Sequence, residues 1–226
     1  MTHSTEVVKT LIQCDFDGTI TQEDVSFLLL EAFADGDWRQ LVTDYSKSKI
    51  PVGYFSTNAF AMIKADKQTL LNFIKGKVQI RAGFNELLSY CHRWGFQFVI
   101  VSNGLDFYIE RILRDIGMES IKAFAAQAQF CPEGIQVKYI GPGGRQLQDG
   151  FKEAYVKSFL RRGDRVIYVG NGSSDLLPAK LAHHIFATDN LIDSCKEINL
   201  NCIPFVDLND VVKGLELLDG DTSLKR

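Results

Sequence analysis

The sequence predicts an α/β fold with a parallel sheet, helices on both faces, and a small helical segment inserted after the first strand. Two observations predict it. Short apolar runs alternate with helical patterns along most of the chain, and residues 22–76 interrupt that alternation with helical patterns alone. The length of 226 residues suits one domain that carries an insertion, and 46% hydrophobic with 23% charged residues is ordinary for a globular protein.

The predicted strands are short apolar runs bounded by polar or turn-forming residues, which is the pattern of buried strands in a parallel sheet. They cover residues 8–14, 96–101, 123–127, 165–169 and 184–187, with a last short one at 201–205. Residues 130–140 carry Pro132-Glu133-Gly134 between two extended runs and predict a β-hairpin, followed by a glycine-rich loop at 141–144.

The predicted helices between these strands follow from apolar spacing. Phe84, Leu87, Leu88 and Cys91 fall at i, i+3, i+4 and i+7, which places them on one helical face. Ile109, Ile112, Leu113 and Ile116 repeat the pattern, with Gly117 as the expected helix end. Further crossover helices are expected at 152–160, 175–182 and 208–218.

The insertion is expected to form a cap of helices. Val25, Leu28, Leu29, Ala32 and Phe33 form one helical stripe, and further helices are expected at 38–46, 52–63 and 67–74. Residues 1–21 and 77–226 would then form the core, and residues 22–76 the cap. A segment inserted directly after the first strand would lie over the carboxyl ends of the sheet, where ligands bind in such folds.

Composition narrows the function classes. A net charge of −3 gives no reason to expect nucleic acid or an anionic membrane as partner. Five scattered cysteines without a CxxC pair predict neither a zinc site nor a disulfide framework, and favour the cytoplasm. The first residues lack the pattern of a signal peptide, and no apolar run approaches the roughly 18 residues of a membrane span.

Asp15-Phe16-Asp17-Gly18-Thr19 directly follows the first strand and is the most informative segment. Two carboxylates at a strand end suit a site that holds Mg²⁺. Asp15 would attack phosphorus, and Asp17 would protonate the leaving alcohol and later activate water. An Asx-type turn that caps a helix is the alternative interpretation of this segment.

Three further segments gain weight because the carboxyl ends of parallel strands meet at one edge of a sheet. Ser102, Asn103 and Gly104 follow the second strand and could hold a phosphoryl group, or form an ordinary turn. Lys152 would offset negative charge there, although most lysines are solvated. Asn171 and Asp175 could complete a metal site, or belong to a strand–helix loop with Asp175 as its cap.

The ordered set of these four segments resembles the haloacid dehalogenase superfamily of phosphatases, over essentially the whole chain. The resemblance implies a Rossmann-like core, Asp15 as nucleophile and Asp17 as general acid and base. It also implies Mg²⁺ on the Asp15 carboxylate and the Asp17 carbonyl, with the phosphoryl group held by Ser102 and the amides after it, and its charge neutralised by Lys152.

The helical insertion is similar to the cap of the phosphoserine phosphatase branch of that superfamily. Within the branch, the likeness is to the methionine-salvage phosphatases acting on 2-hydroxy-3-keto-5-methylthiopentenyl-1-phosphate. It rests on Thr19-Ile20-Thr21, on Asn103-Gly104-Leu105-Asp106-Phe107 and on the spacing from Lys152 to Gly170.

Two departures from the family pattern bear on function. Asn171 stands where the family usually has a metal-binding aspartate, which removes a charge but keeps one oxygen. Asp24 could be the acidic cap residue of the branch, but residues 50–63 contain no arginine to grip a substrate carboxylate. Aromatic cap residues suggest a less polar leaving group, or simply a core: Phe27, Trp38, Tyr54, Phe55 and Phe60.

The expected function is therefore a Mg²⁺-dependent phosphatase, a monomer or homodimer, that hydrolyses a small phosphorylated metabolite through an aspartyl-phosphate. A phosphotransferase or phosphomutase of the same fold is one alternative. A non-catalytic phosphate-binding protein is the other, because Asn171 would weaken the metal site.

Overall fold

The computed structural model describes residues 8–47 and 49–220, except for the side chains of residues 219 and 220. The two ends of the predicted core lie outside this range, namely residues 1–7 and 221–226. The expectation about a signal peptide concerns the first of these ends and therefore also lies outside the described residues. No helix in the described part is both long and apolar enough to cross a membrane.

The described residues form one sheet of eight strands. In chain order they are β1 Thr10–Cys14, β2 Gln97–Leu105, β3 Lys122–Cys131, β4 Gly134–Ile140, β5 Gln146–Leu147, β6 Arg165–Gly170, β7 His184–Ala187 and β8 Ile203–Pro204. Their order across the sheet is β5-β4-β3-β2-β1-β6-β7-β8, with β3-β4-β5 antiparallel and the remaining pairs parallel. The predicted α/β class and the predicted hairpin are confirmed.

The central strand β1 is buried along its whole length, because β2 and β6 flank it and helices cover both faces. Leu11, Ile12 and Cys14 have no solvent exposure, which explains why the strand is a near-continuous apolar run. This burial holds the end of β1, and therefore Asp15, at a fixed point of the sheet.

The described core contains six α-helices, of which the first five lead into a strand and the last follows β8. They are α5 Phe84–Trp94, α6 Asp106–Asp115, α7 Phe151–Arg161, α8 Leu176–Ala179, α9 Asp189–Glu197 and α10 Leu208–Gly220. The helix expected at 175–182 is instead a 3₁₀ turn, Ser173–Asp175, followed by the four-residue α8. The chain must leave the helix early, because the His183 amide already donates to the Val166 carbonyl at 2.8 Å beside the sheet.

Helix α9 was missing from the sequence expectations. Only Leu191 and Cys195 of its nine residues are buried, so its apolar stripe is too narrow to stand out in the sequence. The expected end of α6 is confirmed, since Gly117 adopts a φ of 73° just after the helix.

The inserted segment contains α1 Val25–Phe33, α2 Trp38–Ser46, α3 Val52–Phe60 and α4 Lys67–Ile74. Aspartates cap three of these helices by accepting a backbone N–H of the first turn: Asp24 on α1, Asp37 on α2 and Asp66 on α4. The two ends of the segment lie side by side, joined by an antiparallel bridge between Thr21 and Ile80. Helix α3 packs on β4, so the segment lies against the same side of the core as the hairpin.

Candidate active site

The residues predicted for the site meet at the carboxyl edge of the sheet. Asp15 follows β1 and donates its amide to the Val169 carbonyl at 2.9 Å, and Asn171 follows β6. A cavity of about 210 Å³ lies at this edge. Eight of the nine predicted residues line it, namely Asp15, Asp17, Asp24, Ser102, Asn103, Gly104, Lys152 and Asn171. The ninth, Asp175, lies behind Lys152.

Lys152 forms two buried ion pairs. Its Nζ lies 2.8 Å from Asp15 Oδ1 and 2.6 Å from Asp175 Oδ1, and the lysine side chain is only 2% exposed. Burial alone would lower the pKa of Lys152, but the adjacent charges of Asp15 and Asp175 outweigh it and raise that pKa. The ammonium group is therefore a permanent cation in contact with the predicted nucleophile.

Local structure brings Lys152 to this place. It is the second residue of α7, which begins after Gly150 in the left-handed conformation with a φ of 66°. Gln13 Nε2 donates to the Lys152 carbonyl at 3.1 Å, which ties the first turn of α7 to strand β1. Asp15, the predicted nucleophile, and Lys152 are thus fixed to each other through the central strand.

Asp175 differs from the expectation of a metal ligand. Besides Lys152, its Oδ1 accepts the Tyr168 hydroxyl at 2.6 Å, and its Oδ2 accepts the amides of Asn171 at 3.1 Å and Gly172 at 2.9 Å. Burial alone would raise the pKa of Asp175, but Lys152 and these donors lower it. A carboxylate engaged by four donors favours a positioning role over metal ligation.

Asp15 has a different balance of charges. Burial, together with the negative charge of Asp175, raises its pKa to about 7 despite the contact with Lys152. A second cation at the site would favour the ionised form that a nucleophile needs. A bound divalent metal ion would supply that positive charge.

Asp17 is enclosed between the core and helix α1. Its Oδ1 accepts the Val25 amide at 3.2 Å, and its Oδ2 accepts a short hydrogen bond from the Tyr108 hydroxyl. Burial, and then the charge of Asp24, raises the pKa of Asp17 well above its usual value. A raised pKa favours the protonated form of the carboxyl group, which is the form that a general acid requires.

The oxygens near Asp15 fit a Mg²⁺ ion. Mg²⁺ prefers oxygen ligands and keeps several of its waters. The chain offers the Asp15 carboxylate, the Asn171 amide oxygen and the carbonyl of Asp17, which accepts no hydrogen bond from the residues described. No group of three or more His, Cys, Asp or Glu side chains suited to a metal occurs in the described residues, and position 171 contributes an amide.

Gly18 permits the close approach of Asn171. A Cβ at position 18 would lie 2.2 Å from Asn171 Nδ2, and the φ of 72° is itself a glycine conformation. The Thr19 hydroxyl donates to Asn171 Oδ1 at 3.1 Å, so the loop after the nucleophile holds the amide in place.

The segment predicted to hold phosphate, Ser102 to Gly104, lies within strand β2 rather than after it. β2 continues to Leu105, with a register shift against β3 after Val101, and α6 begins only at Asp106. The Gly104 amide is not free, as it donates to Ser102 Oγ at 3.0 Å. The Asn103 carbonyl accepts the Tyr139 hydroxyl at 2.8 Å.

The inserted helices supply the opposite wall of the cavity, which is largely apolar. Apart from Asp24, this wall consists of Ser26, Phe27, Tyr45, Val52, Phe55, Ser56 and Phe60. Tyr45 stacks on Phe55 with ring centres 5.5 Å apart, and Phe27 meets Phe55 edge-on. No arginine lies among the described lining residues.

Sequence reasoning found part of this wall. Of the predicted aromatics, Phe27, Phe55 and Phe60 line the cavity, whereas Trp38 packs on Phe27 and Tyr54 is half exposed. Tyr45, Tyr108 and Tyr168 were missed. Tyr108 lies four residues after Gly104, in the first turn of α6, but tyrosine in an apolar helix pattern is indistinguishable from core before the fold is known.

A wider cleft of about 660 Å³ adjoins the cavity. The two share Tyr45, Val52, Asn103, Ser173 and Ser174, so the cleft lies between the inserted helices and the loops that precede α7 and follow β6. It is the natural approach to the buried carboxylates.

Comparison with known proteins agrees with this geometry. The sequence model of the haloacid dehalogenase-like hydrolase family matches residues 12–180 of this chain. A 2-hydroxy-3-keto-5-methylthiopentenyl-1-phosphate phosphatase of Bacillus pumilus is 31% identical over 196 residues, covering 85% of this chain and 84% of the relative. The enzyme of that name from Brevibacillus brevis is 29% identical over 213 residues, covering 92% and 96%.

Solved structures show the same fold. A phosphoserine phosphatase structure described as a phospho-aspartyl intermediate analogue superimposes with a TM-score of 0.70 at 19% identity, covering 91% of this chain and 98% of the other. The phosphoserine phosphatase of T. onnurineus gives a TM-score of 0.66 at 18% identity, covering 94% and 97%.

Proposed function

The chain belongs to the haloacid dehalogenase-like hydrolase family, and we propose that it is a Mg²⁺-dependent phosphatase that works through an aspartyl-phosphate on Asp15. One observation carries the proposal most directly. Asp15 and Lys152 are 2.8 Å apart and buried, and Asp17 lies beside them with a raised pKa. These are a nucleophile, a cation and a proton donor in one cavity.

In the first step, an Asp15 carboxylate oxygen forms a bond to phosphorus while the bond from phosphorus to the leaving oxygen breaks. Asp17 gives its proton to that leaving oxygen, so the product is a neutral alcohol. Lys152 offsets charge on the phosphoryl group, and Ser102 with the Asn103 amide holds it. Mg²⁺, when bound by Asp15, the Asp17 carbonyl and Asn171, supplies further positive charge.

In the second step, water attacks phosphorus and the bond to Asp15 breaks. Asp17, now ionised, takes a proton from the water, which regenerates the acid and releases phosphate. Asp175 stays ionised and keeps the ammonium group of Lys152 in place during both steps. Asp24 caps helix α1, raises the pKa of Asp17 and lines the cavity, where it would also face the leaving group of the substrate.

We propose 2-hydroxy-3-keto-5-methylthiopentenyl-1-phosphate, in methionine salvage, as the substrate. The printed activity of the relatives supports it, as does the aromatic wall, which suits a methylthio group better than an ammonium carboxylate. Phosphoserine is disfavoured because no arginine of the described lining could bind its carboxylate. In this role residues 22–76 act as the cap that encloses the leaving group.

The test is phosphate release from a panel of phosphate monoesters, with Mg²⁺ and with EDTA, by wild type and Asp15→Asn. We expect metal-dependent release that the variant loses by a factor of about a thousand or more, since it lacks the nucleophile. Equal activity of the two proteins would contradict the proposal. Phosphorylated alcohol formed on adding acceptors would indicate a phosphotransferase, and tight phosphomonoester binding without turnover a non-catalytic protein.

A small phosphorylated metabolite is the proposed partner, and the five cysteines, all free in the structure, suit the cytoplasmic location that the sequence predicts. The monomeric or homodimeric state, like the expected absence of nucleic-acid and membrane partners, stays a prediction. Size-exclusion chromatography with light scattering measures the oligomeric state.

A further inference from the structure

Two tyrosines of the core, Tyr108 on α6 and Tyr139 on β4, connect residues of the candidate site to serines of the inserted helices. The Tyr108 hydroxyl contacts Asp17 Oδ2 and lies 2.8 Å from Ser26 Oγ on α1. The Tyr139 hydroxyl donates to the Asn103 carbonyl at 2.8 Å and lies 2.8 Å from Ser56 Oγ on α3. All four hydroxyls are at least half-buried, so water competes poorly with these bonds.

The direction of the bonds at Tyr108 follows from proton counting. A phenol has one hydroxyl proton, and Tyr108 donates it to Asp17. The Ser26 hydroxyl must therefore donate to the Tyr108 oxygen. The result is a directed chain from the first turn of α1, through Tyr108, to one oxygen of the acid.

The other oxygen of Asp17 is held by the same turn, since Oδ1 accepts the Val25 amide at 3.2 Å. Both oxygens of the proton donor therefore depend on α1, one directly and one through Tyr108. Tyr108 is fully buried and Gly104 leaves it no free space, because a Cβ there would lie 2.0 Å from its hydroxyl and 2.3 Å from Asp17 Oδ2.

We propose that Tyr108 is a positioning residue that fixes the carboxyl group of Asp17 to helix α1, so that proton delivery to the leaving group depends on the placement of that helix. The inference rests on the proposed phosphatase function. Without Tyr108 the carboxyl group keeps the Val25 bond alone and can rotate about it. Asp17 then spends less time aimed at the leaving oxygen, while Asp15 and Lys152 are undisturbed.

Leaving groups with different needs for a proton separate this role from a general loss of structure. Benzyl phosphate expels a poor alkoxide that requires protonation, whereas p-nitrophenyl phosphate of similar shape expels a stable phenolate. We expect Tyr108→Phe, at saturating Mg²⁺, to lower kcat/KM for benzyl phosphate by about tenfold or more and for p-nitrophenyl phosphate by less than about threefold. Equal losses on both substrates, no loss, or a gain would overturn the proposal.

Ser26→Ala provides a second variant if Tyr108→Phe does not fold. It should produce the same selectivity with a smaller loss, and adding it to Tyr108→Phe should cause no further loss, because both act through one chain. A loss that is equal on both substrates, or additive in the double variant, would overturn the proposal.

Two control variants separate the acid from the rest of the site. Tyr139→Phe breaks the matching bond to Ser56 but touches Asn103, so it should lower kcat/KM for both substrates alike. Tyr155→Phe removes a hydroxyl that donates to the Ile140 carbonyl at 3.1 Å, outside the cavity, and should change neither. If wild type releases phosphate from no monoester of the panel, the proposed function fails, and this inference fails with it.

Discussion

Buried charge decides the chemistry at the scale of single residues. Among the described residues around the cavity, Asp15, Asp17, Asp24 and Asp175 bring four carboxyl groups against the ammonium of Lys152. Such an excess is costly in a dry site, and it raises the pKa of Asp15 and Asp17. Asn171 avoids a fifth carboxyl group, and we expect it to bind a cation less tightly than an aspartate would.

The amide at position 171 leads to a prediction for Asn171→Asp. A carboxylate there adds a charged oxygen to the proposed Mg²⁺ ligands, and ligand charge is a main determinant of affinity. We expect the Mg²⁺ concentration for half-maximal activity to fall by roughly tenfold, and the thermal unfolding temperature to depend more steeply on Mg²⁺.

Asn190→Asp is the matched control, because it adds the same charge to the wall of the same cavity. It should leave the Mg²⁺ requirement within about threefold of wild type, since no proposed ligand lies at that position. The same Mg²⁺ requirement in wild type and Asn171→Asp would show that residue 171 does not contact the metal ion.

At the scale of elements, the ends of strands and helices place the site. Strand β1 ends at Cys14 directly before Asp15, the loop turns back through Gly18, and α7 presents Lys152 from the start of its first turn. Each of these positions depends on a local conformation set by few residues. Gly18 is the tightest, because it combines a positive φ with a near neighbour, Asn171.

Gly18→Ala and Gly117→Ala form a matched pair, with φ values of 72° and 73°. Both should lose about 1–2 kcal/mol of unfolding free energy from backbone strain. Nothing lies within 4 Å of a Cβ at Gly117, so that variant should keep its activity. Gly18→Ala must displace Asn171 and should lower Mg²⁺-dependent turnover by about tenfold or more.

Chemical denaturation and Mg²⁺-dependent phosphate release measure both effects. Full activity of Gly18→Ala at the wild-type Mg²⁺ requirement would contradict the close packing of Asn171 on this glycine.

At the scale of the whole molecule, hydrogen bonds link the joint between the inserted helices and the core to the loop that follows Asp17. Arg81 lies just after the bridge at the base of the inserted segment. Its guanidinium donates to the carbonyls of Gly18 at 2.6 Å, Thr19 at 2.9 Å and Val206 at 2.9 Å. The Arg81 side chain thus links the loop after Asp17 to the end of the inserted segment and to the carboxyl-terminal part of the core.

Arg81→Lys and Arg81→Ala should therefore both impair the enzyme. Lysine keeps the charge but lacks the planar set of donors that reaches three carbonyls at once. We expect the unfolding free energy to fall by roughly 2–4 kcal/mol and kcat/KM by about tenfold or more in both variants. Denaturant unfolding and steady-state kinetics measure the two quantities.

Arg111→Ala is the control, because Arg111 forms a surface ion pair with Asp115 at 2.8 Å within α6. Such pairs contribute about 1 kcal/mol or less, so stability and activity should change little. Wild-type activity of Arg81→Lys would show that charge alone suffices at this joint.

The amino-acid sequence by itself determined the α/β class and the family, and it predicted which segments carry the chemistry. The apolar runs of the strands and the segment from Asp15 to Thr19 are local patterns, so they can be interpreted without knowing which distant residues they contact. The family and the fold class are confirmed, whereas the domain limits and the roles of the site residues stay predictions. The missing helix α9 and the short α8 show where a narrow apolar stripe and the nearby sheet outweigh local preference.

Only the tertiary structure decided how the polar groups pair. Asp175 faces Lys152, Tyr108 meets Asp17, and Arg81 reaches Gly18 across separations of 23, 91 and 63 residues. A hydrogen bond acts over about 3 Å, and the sequence does not say which distant groups fall within that range. Burial then sets the pKa of each group, because the charge it meets and the water it loses both depend on the folded packing.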